Sequence, residues 1–109
     1  MARKKPAIIV VSSLVSRGSV GSRASQFVLQ RLGFPVWLVP TVTLAWHPGH
    51  GASTRIVPEP AAFSALVADL AGSPRLAEVG ALMTGYFGDA AQVADAAALV
   101  EEARRADPD

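Results

Sequence analysis

Cysteine is missing from all 109 residues, which removes a disulfide framework and any thiolate metal site from consideration. Aromatic residues are scarce, with a single tyrosine, and neither sign of charge prevails: 10 lysines and arginines stand against 9 acids, for a net +1. That balance argues against a surface that binds nucleic acid through its phosphates. Long hydrophobic runs are also lacking, and no apolar stretch approaches the roughly 18–20 residues needed to span a bilayer. After the basic flank Arg3, Lys4 and Lys5, the apolar run Ala7 to Val11 is shorter than the about 7–15 residues of a secretory signal core. The expectation is a cytoplasmic protein with neither nucleic-acid nor membrane partners.

What is present is apolar. Hydrophobic residues make up 50% of the chain, enough for a true core in one domain of modest size. Ala7–Val11 is apolar at every position and mostly β-branched, the pattern of a strand covered on both faces, hence parallel and central. Ser19 or Ser22 can cap the helix that follows, Ala24, Phe27, Val28 and Leu32 recur at helical spacing, and Gly33 supplies a stop. Pro35 opens a second apolar run, Val36 to Val39, which Pro40 closes. From Thr41 to Pro58 no period holds, so a long loop is expected, with short extended pieces near 42–44 and 54–57.

Pro60 suits a first helical turn, and Phe63, Leu66, Val67 and Leu70 make one apolar stripe ending at Gly72. Glu78–Thr84 reads as a third buried strand. Asp89 and Gln92 have the spacing of a capping box, Val93, Ala97 and Val100 share the next helical face, and Arg104 and Arg105 suit its carboxyl end. The order is βαβαβα without internal repeat. It predicts an α/β fold with a parallel sheet, right-handed crossovers and helices on both faces. Strands are expected near 7–12, 35–40 and 78–84, and helices near 23–32, 60–71 and 90–105.

Three segments sit where such a sheet holds ligands, after the carboxyl ends of its strands. In Ser12-Ser13-x-x-x-x-Gly18-x-x-Gly21, small residues allow a ligand close to the main chain, and a serine hydroxyl both donates and accepts. The spacing is neither the dinucleotide nor the Walker fingerprint, and a purely structural turn explains it as readily. His47-Pro48-Gly49-His50 places two imidazoles three apart, but Pro48 and Gly49 exclude the helix that would aim both at a metal, and no third ligand is near. A loop histidine that lines a pocket or faces solvent accounts for it better. Thr84-Gly85-Tyr86-Phe87-Gly88-Asp89 offers a flat ring and a hydroxyl, or simply a core aromatic in a strand-to-helix turn. Asp89 reads as a helix cap rather than a catalytic carboxylate, because Gln92 follows three residues on. Ser16, Ser19, Ser22, Arg17 and Arg23 allow a phosphate clamp, or caps and solvated charges.

Taken together, these segments resemble the amino-terminal part of the pyridoxal kinases, members of the ribokinase-like superfamily. The resemblance rests on Ser13-Leu14-Val15-Ser16-Arg17-Gly18-Ser19-Val20-Gly21, on Arg31 to Trp37, on Thr41-Val42 leading to His47-Pro48-Gly49-His50-Gly51, and on Thr84-Gly85-Tyr86. It implies a partial ribokinase-like, Rossmann-like three-layer fold and ATP-dependent phosphorylation of the 5′-hydroxyl of pyridoxal or a related B6 vitamer. It further implies that Ser13 hydrogen-bonds the pyridine ring, that Val20 and Val42 contact it, that Tyr86 forms an aromatic wall, and that His47, Pro48 and Gly49 lie in a segment covering the substrate. The family uses ATP and Mg2+ and is typically homodimeric. Leu14, Ser22, Leu44 and Pro48 depart from the family's usual residues, so a hydrogen bond at Pro48 must come from backbone or water.

The family's carboxyl half carries the ATP site and a Gly-x-Gly-Asp motif whose aspartate takes the substrate proton. No such motif occurs in this sequence. Residues 1–109 are therefore expected to be the amino-terminal portion of one kinase domain without its ATP-binding half, holding part of the vitamin pocket and inactive alone, with no catalytic residue, bound nucleotide or metal of its own. Two alternatives stand beside this reading: a non-enzymatic remnant or small α/β interaction module, and a kinase of the hydroxymethylpyrimidine type.

Overall fold

The computed structural model describes residues 4–107; Arg3 of the basic flank and Pro108 and Asp109 at the other end lie outside the described residues. The all-apolar run becomes the central strand β1 (Ala7–Val15), in which Ala7 to Val11 are each no more than 7% exposed. A strand buried that completely needs neighbours on both edges and cover on both faces. It pairs in parallel with β2 (Val36–Leu44) on one side and with β4 (Val79–Thr84) on the other. A two-residue strand β3 (Arg55–Ile56) adds antiparallel to the end of β2, giving the order β3-β2-β1-β4.

The chain moves one way across the sheet from β1 to β2 and the other way to reach β4. Right-handed crossovers then put the intervening helices on opposite faces. Helix α1 (Ser22–Arg31) lies against β1 and β2, while α2 (Pro60–Ala71) and α3 (Ala91–Ala106) pack against each other. The main core is formed on their side, where Ile9 and Val11 of β1 meet Val39, Phe63, Val67, Val79 and Leu99. A smaller cluster of Val15, Val42 and Leu44 sits at the carboxyl end of the sheet.

The three parallel strands and three helices lie where the periodicity places them, but the third strand is not buried: β4 stands at the sheet edge with Gly80, Ala81, Met83 and Thr84 exposed. Two further corrections apply. First, Pro40 does not close the second strand. Proline is tolerated in a ladder at a bulge, and Pro40, opposite Ser12, directly precedes one: the register passes from Ser12↔Pro40 to Leu14↔Thr43, so between these pairs β2 holds one more residue than β1. The pieces near 42–44 and 54–57 are thereby the end of β2 and the hairpin partner β3. Second, Phe27, Val28 and Leu32 do not face the sheet and are 65%, 53% and 56% exposed. Small and polar residues sit inward instead, with Ser22 fully buried, because the helix lies close to the strands over its amino end.

Candidate functional site

The carboxyl ends of β2, β1 and β4 are neighbours, so the segments after them open on one edge of the sheet. Ser13, half-buried, lies in β1 opposite the β2 bulge. Beyond it the chain turns through Ser16–Gly21 and folds back: Gly21 takes φ +60°, and a Cβ there would sit 2.8 Å from both the carbonyl oxygen and the Oγ of Ser13. Only glycine allows that approach. Arg23 secures the turn by donating from Nη1 to the carbonyl oxygens of Val15 at 3.4 Å and Ser16 at 3.2 Å. Its guanidinium thus serves the main chain rather than a phosphate clamp. Val20, on the same turn, is 44% exposed.

After β2, the main chain enters a 3-10 turn over Pro48–His50. His47 caps it, its Nδ1 accepting from the Gly49 N–H at 2.9 Å, which leaves the proton of the neutral ring on Nε2. Trp46 closes the segment by donating from Nε1 to the Gly51 carbonyl at 3.1 Å. The His47 and His50 rings stand edge to face, 6.1 Å between centroids. Among the described residues no group of three or more His, Asp or Glu is placed to hold a metal ion. His47, Pro48 and Gly49 are exposed, whereas Val42 is fully buried with Val15 and Leu44.

The third segment follows β4. A Cβ on Gly85 would lie 2.3 Å from the Ser12 Oγ, and one on Gly88 would lie 2.6 Å from the Thr41 carbonyl oxygen, so the turn presses directly on β1 and β2. Tyr86, 59% exposed, has its carbonyl oxygen bound by the Thr41 hydroxyl at 2.7 Å. Asp89 is the helix cap its spacing suggests: its Oδ1 accepts from the Ala91 N–H at 2.9 Å, and Gln92 Oε1 accepts from the Asp89 N–H at 3.3 Å.

Ser13, the 47–49 segment and Tyr86 thus follow or end adjacent parallel strands on one side of the sheet. Sequence reasoning missed Arg55, the hydrogen-bonding role of Thr41 and the second role of Gln92, all of which hold the Tyr86 turn. The capping spacing exposed one end of Gln92; nothing in the local sequence signals the other, which reaches residue 41.

No family model matches the chain. Among curated proteins it is 39% identical to the pyridoxal kinase PdxY of Deinococcus radiodurans over 93% of its own length and 34% of the relative's. It is 33% identical to the pyridoxal kinase PdxY of Pseudomonas paraeruginosa over 96% of this chain and 36% of that one. Among solved structures, the pyridoxal kinase of Leishmania donovani in complex with ADP and pyridoxamine superposes with a TM-score of 0.84 at 30% identity, covering 92% of this chain and 35% of that one. A phosphomethylpyrimidine kinase described as putative, from Bacteroides thetaiotaomicron, shares the fold at a TM-score of 0.74 and 22% identity, over 95% of this chain and 35% of that one. The chain spans about a third of the length of the curated relatives it matches. In sequence and in fold, nearly the whole chain is similar to a part of the pyridoxal kinases about a third of their length.

Proposed function

We propose that this chain forms the vitamin-binding edge of a pyridoxal-kinase domain, whose complete form transfers the γ-phosphoryl group of ATP to the 5′-hydroxyl of pyridoxal or a related B6 vitamer. The observation that carries the reading is 39% identity to a pyridoxal kinase across 93% of the chain. Ser13 hydrogen-bonds the pyridine ring, its hydroxyl able to donate or accept as the ring nitrogen requires. Tyr86 lies along the ring as a wall, Val20 meets it from the turn after β1, and the 47–49 segment covers it. Val42, buried with Val15 and Leu44, backs the pocket rather than lining it.

Phosphoryl transfer depends on positioning and charge stabilisation around the nucleotide, its metal and the attacking hydroxyl. The sequence lacks the residues that part of the reaction uses: there is no Gly-x-Gly-Asp, and the described residues bring no three His, Asp or Glu side chains together. ATP and Mg2+ are therefore assigned to the part of the relatives' length that this chain does not span. A homodimer is also proposed, and the outward apolar side chains of α1 support it.

Calorimetric titration of the chain with pyridoxine tests the pocket. Ser13→Ala should weaken binding by about 0.5–1.5 kcal/mol, the net worth of one hydrogen bond. Equal affinity in both proteins would remove Ser13 from the site, and no binding by the parent chain would sink the reading. With ATP and magnesium, the chain should make no pyridoxal 5′-phosphate; steady turnover would show the chemistry to reside here after all.

A further inference from the structure

Tyr86 poses a positioning problem. The residue is 59% exposed, so packing holds its ring weakly, and its place on the sheet edge depends on its own main chain. That main chain is held at several points. Thr41, fully buried in β2, donates from Oγ1 to the Tyr86 carbonyl at 2.7 Å. Gln92, 2% exposed at the start of α3, accepts on Oε1 from the N–H groups of Gly88 at 2.9 Å and Asp89 at 3.3 Å, and donates from Nε2 to the Thr41 carbonyl at 2.8 Å. Arg55 of β3 donates to the Gly88 carbonyl at 2.8 Å.

Capping explains only half of this. A capping glutamine needs its oxygen alone and works in solvent. Gln92 is instead buried in line with Ala96 and Leu99 on the core face of α3, where a leucine would complete the apolar stripe. Keeping an amide there costs desolvation unless its polar atoms are matched, and both ends of this amide are, one on the turn and one on β2.

We propose that Gln92, together with Thr41, is a positioning residue that fixes the Tyr86 turn against β2 and so sets the aromatic wall of the pocket. The wall's contact with substrate rests on the function proposed above; the fixing of the turn does not. Tyr86 is the only tyrosine, so a chain labelled with 3-fluorotyrosine gives one fluorine NMR resonance that reports on it alone. In ligand-free protein, Gln92→Leu should move or broaden that resonance while the far-ultraviolet circular dichroism stays that of the parent. Gln92→Glu, which keeps the accepting oxygen but cannot donate to Thr41, should fall between the two. Thr41→Val, which removes only the hydroxyl, should perturb the same resonance and decides the matter if Gln92→Leu does not fold. Pyridoxine affinity should fall about tenfold in Gln92→Leu, a preorganisation loss near the upper end of one hydrogen bond's net worth. Folded Gln92→Leu and Thr41→Val proteins whose Tyr86 resonance matches the parent would overturn the proposal. A parent resonance that ignores pyridoxine, with variants that still shift it, would instead refute the function and leave the positioning role standing.

Discussion

Ser22 shows how tightly single side chains are fitted where β1 feeds α1. Its residue is fully buried and its hydroxyl has no hydrogen-bond partner. An unmatched buried hydroxyl is unfavourable, and alanine is a better helix former. Ser22→Ala should therefore stabilise the chain by up to about 1 kcal/mol in a denaturant titration. A loss of that size would mean that the hydroxyl has a partner after all. The neighbouring residues explain what could be read in advance. Ser13, Gly21, Gly85 and Gly88 stood out because small residues clustered after a strand mark a tight turn, whether or not it meets a ligand. Thr41 and Gln92 did not, because their importance lies in partners 45 and 51 positions away in sequence.

Among the elements, α2 and β1 were legible because one pattern decided each: an apolar stripe after a proline, and an unbroken β-branched run. Helix α1 was legible in extent but not in orientation. Its apolar stripe invites an inward placement, yet burying Ser22 against the strands turns Phe27, Val28 and Leu32 outward, with the Arg31 guanidinium 6.0 Å from the centre of the Phe27 ring. Phe27→Glu should leave stability within about 0.5 kcal/mol, since the side chain is exposed and the new carboxylate stands four residues before Arg31 at ion-pair spacing. The same change should reduce self-association in sedimentation velocity if α1 is the dimer face. An unaltered oligomer would move that face elsewhere. Strand β2 was under-read for a different reason: proline is a strand terminator in most contexts, and the bulge beside Pro40, with the outer edge of β2 unpaired before Thr43, lifts the rule.

Over the whole molecule, the layers make a slab with extents of 47 × 32 × 15 Å. Its strands are unequally protected. β1 is paired on both edges, whereas β4 is an edge strand with Gly80, Ala81, Met83 and Thr84 exposed, and an open groove of about 260 Å³ runs between it and Val100 and Ala103 of α3. Amide hydrogens in the middle of β1 should exchange most slowly, and those of β4 and the short β3 much sooner, because local opening follows burial and pairing. Uniform protection across all four strands would point to a cover over the β4 edge in solution. The fold class was open to sequence reading because alternating strand and helix patterns admit few topologies; the sheet's edges were not, because pairing joins segments far apart in the chain.

The additional residue in β2 beside Ser13 has a last consequence, one of phase. Thr41 and Val42 are adjacent yet both fully buried, so the two-residue alternation of the strand is broken at that point and resumes out of step. Everything downstream inherits the new parity, including Thr43, Leu44 and the approach to His47. Removing a single residue at 41 or 42 would restore a regular ladder and leave each later β2 side chain on the side it now faces, because Thr43 already pairs in phase with Leu14; removing both would turn them to the opposite side of the sheet. The parity of this strand is therefore set at 41 and 42, and a single deletion there should be tolerated before a paired one.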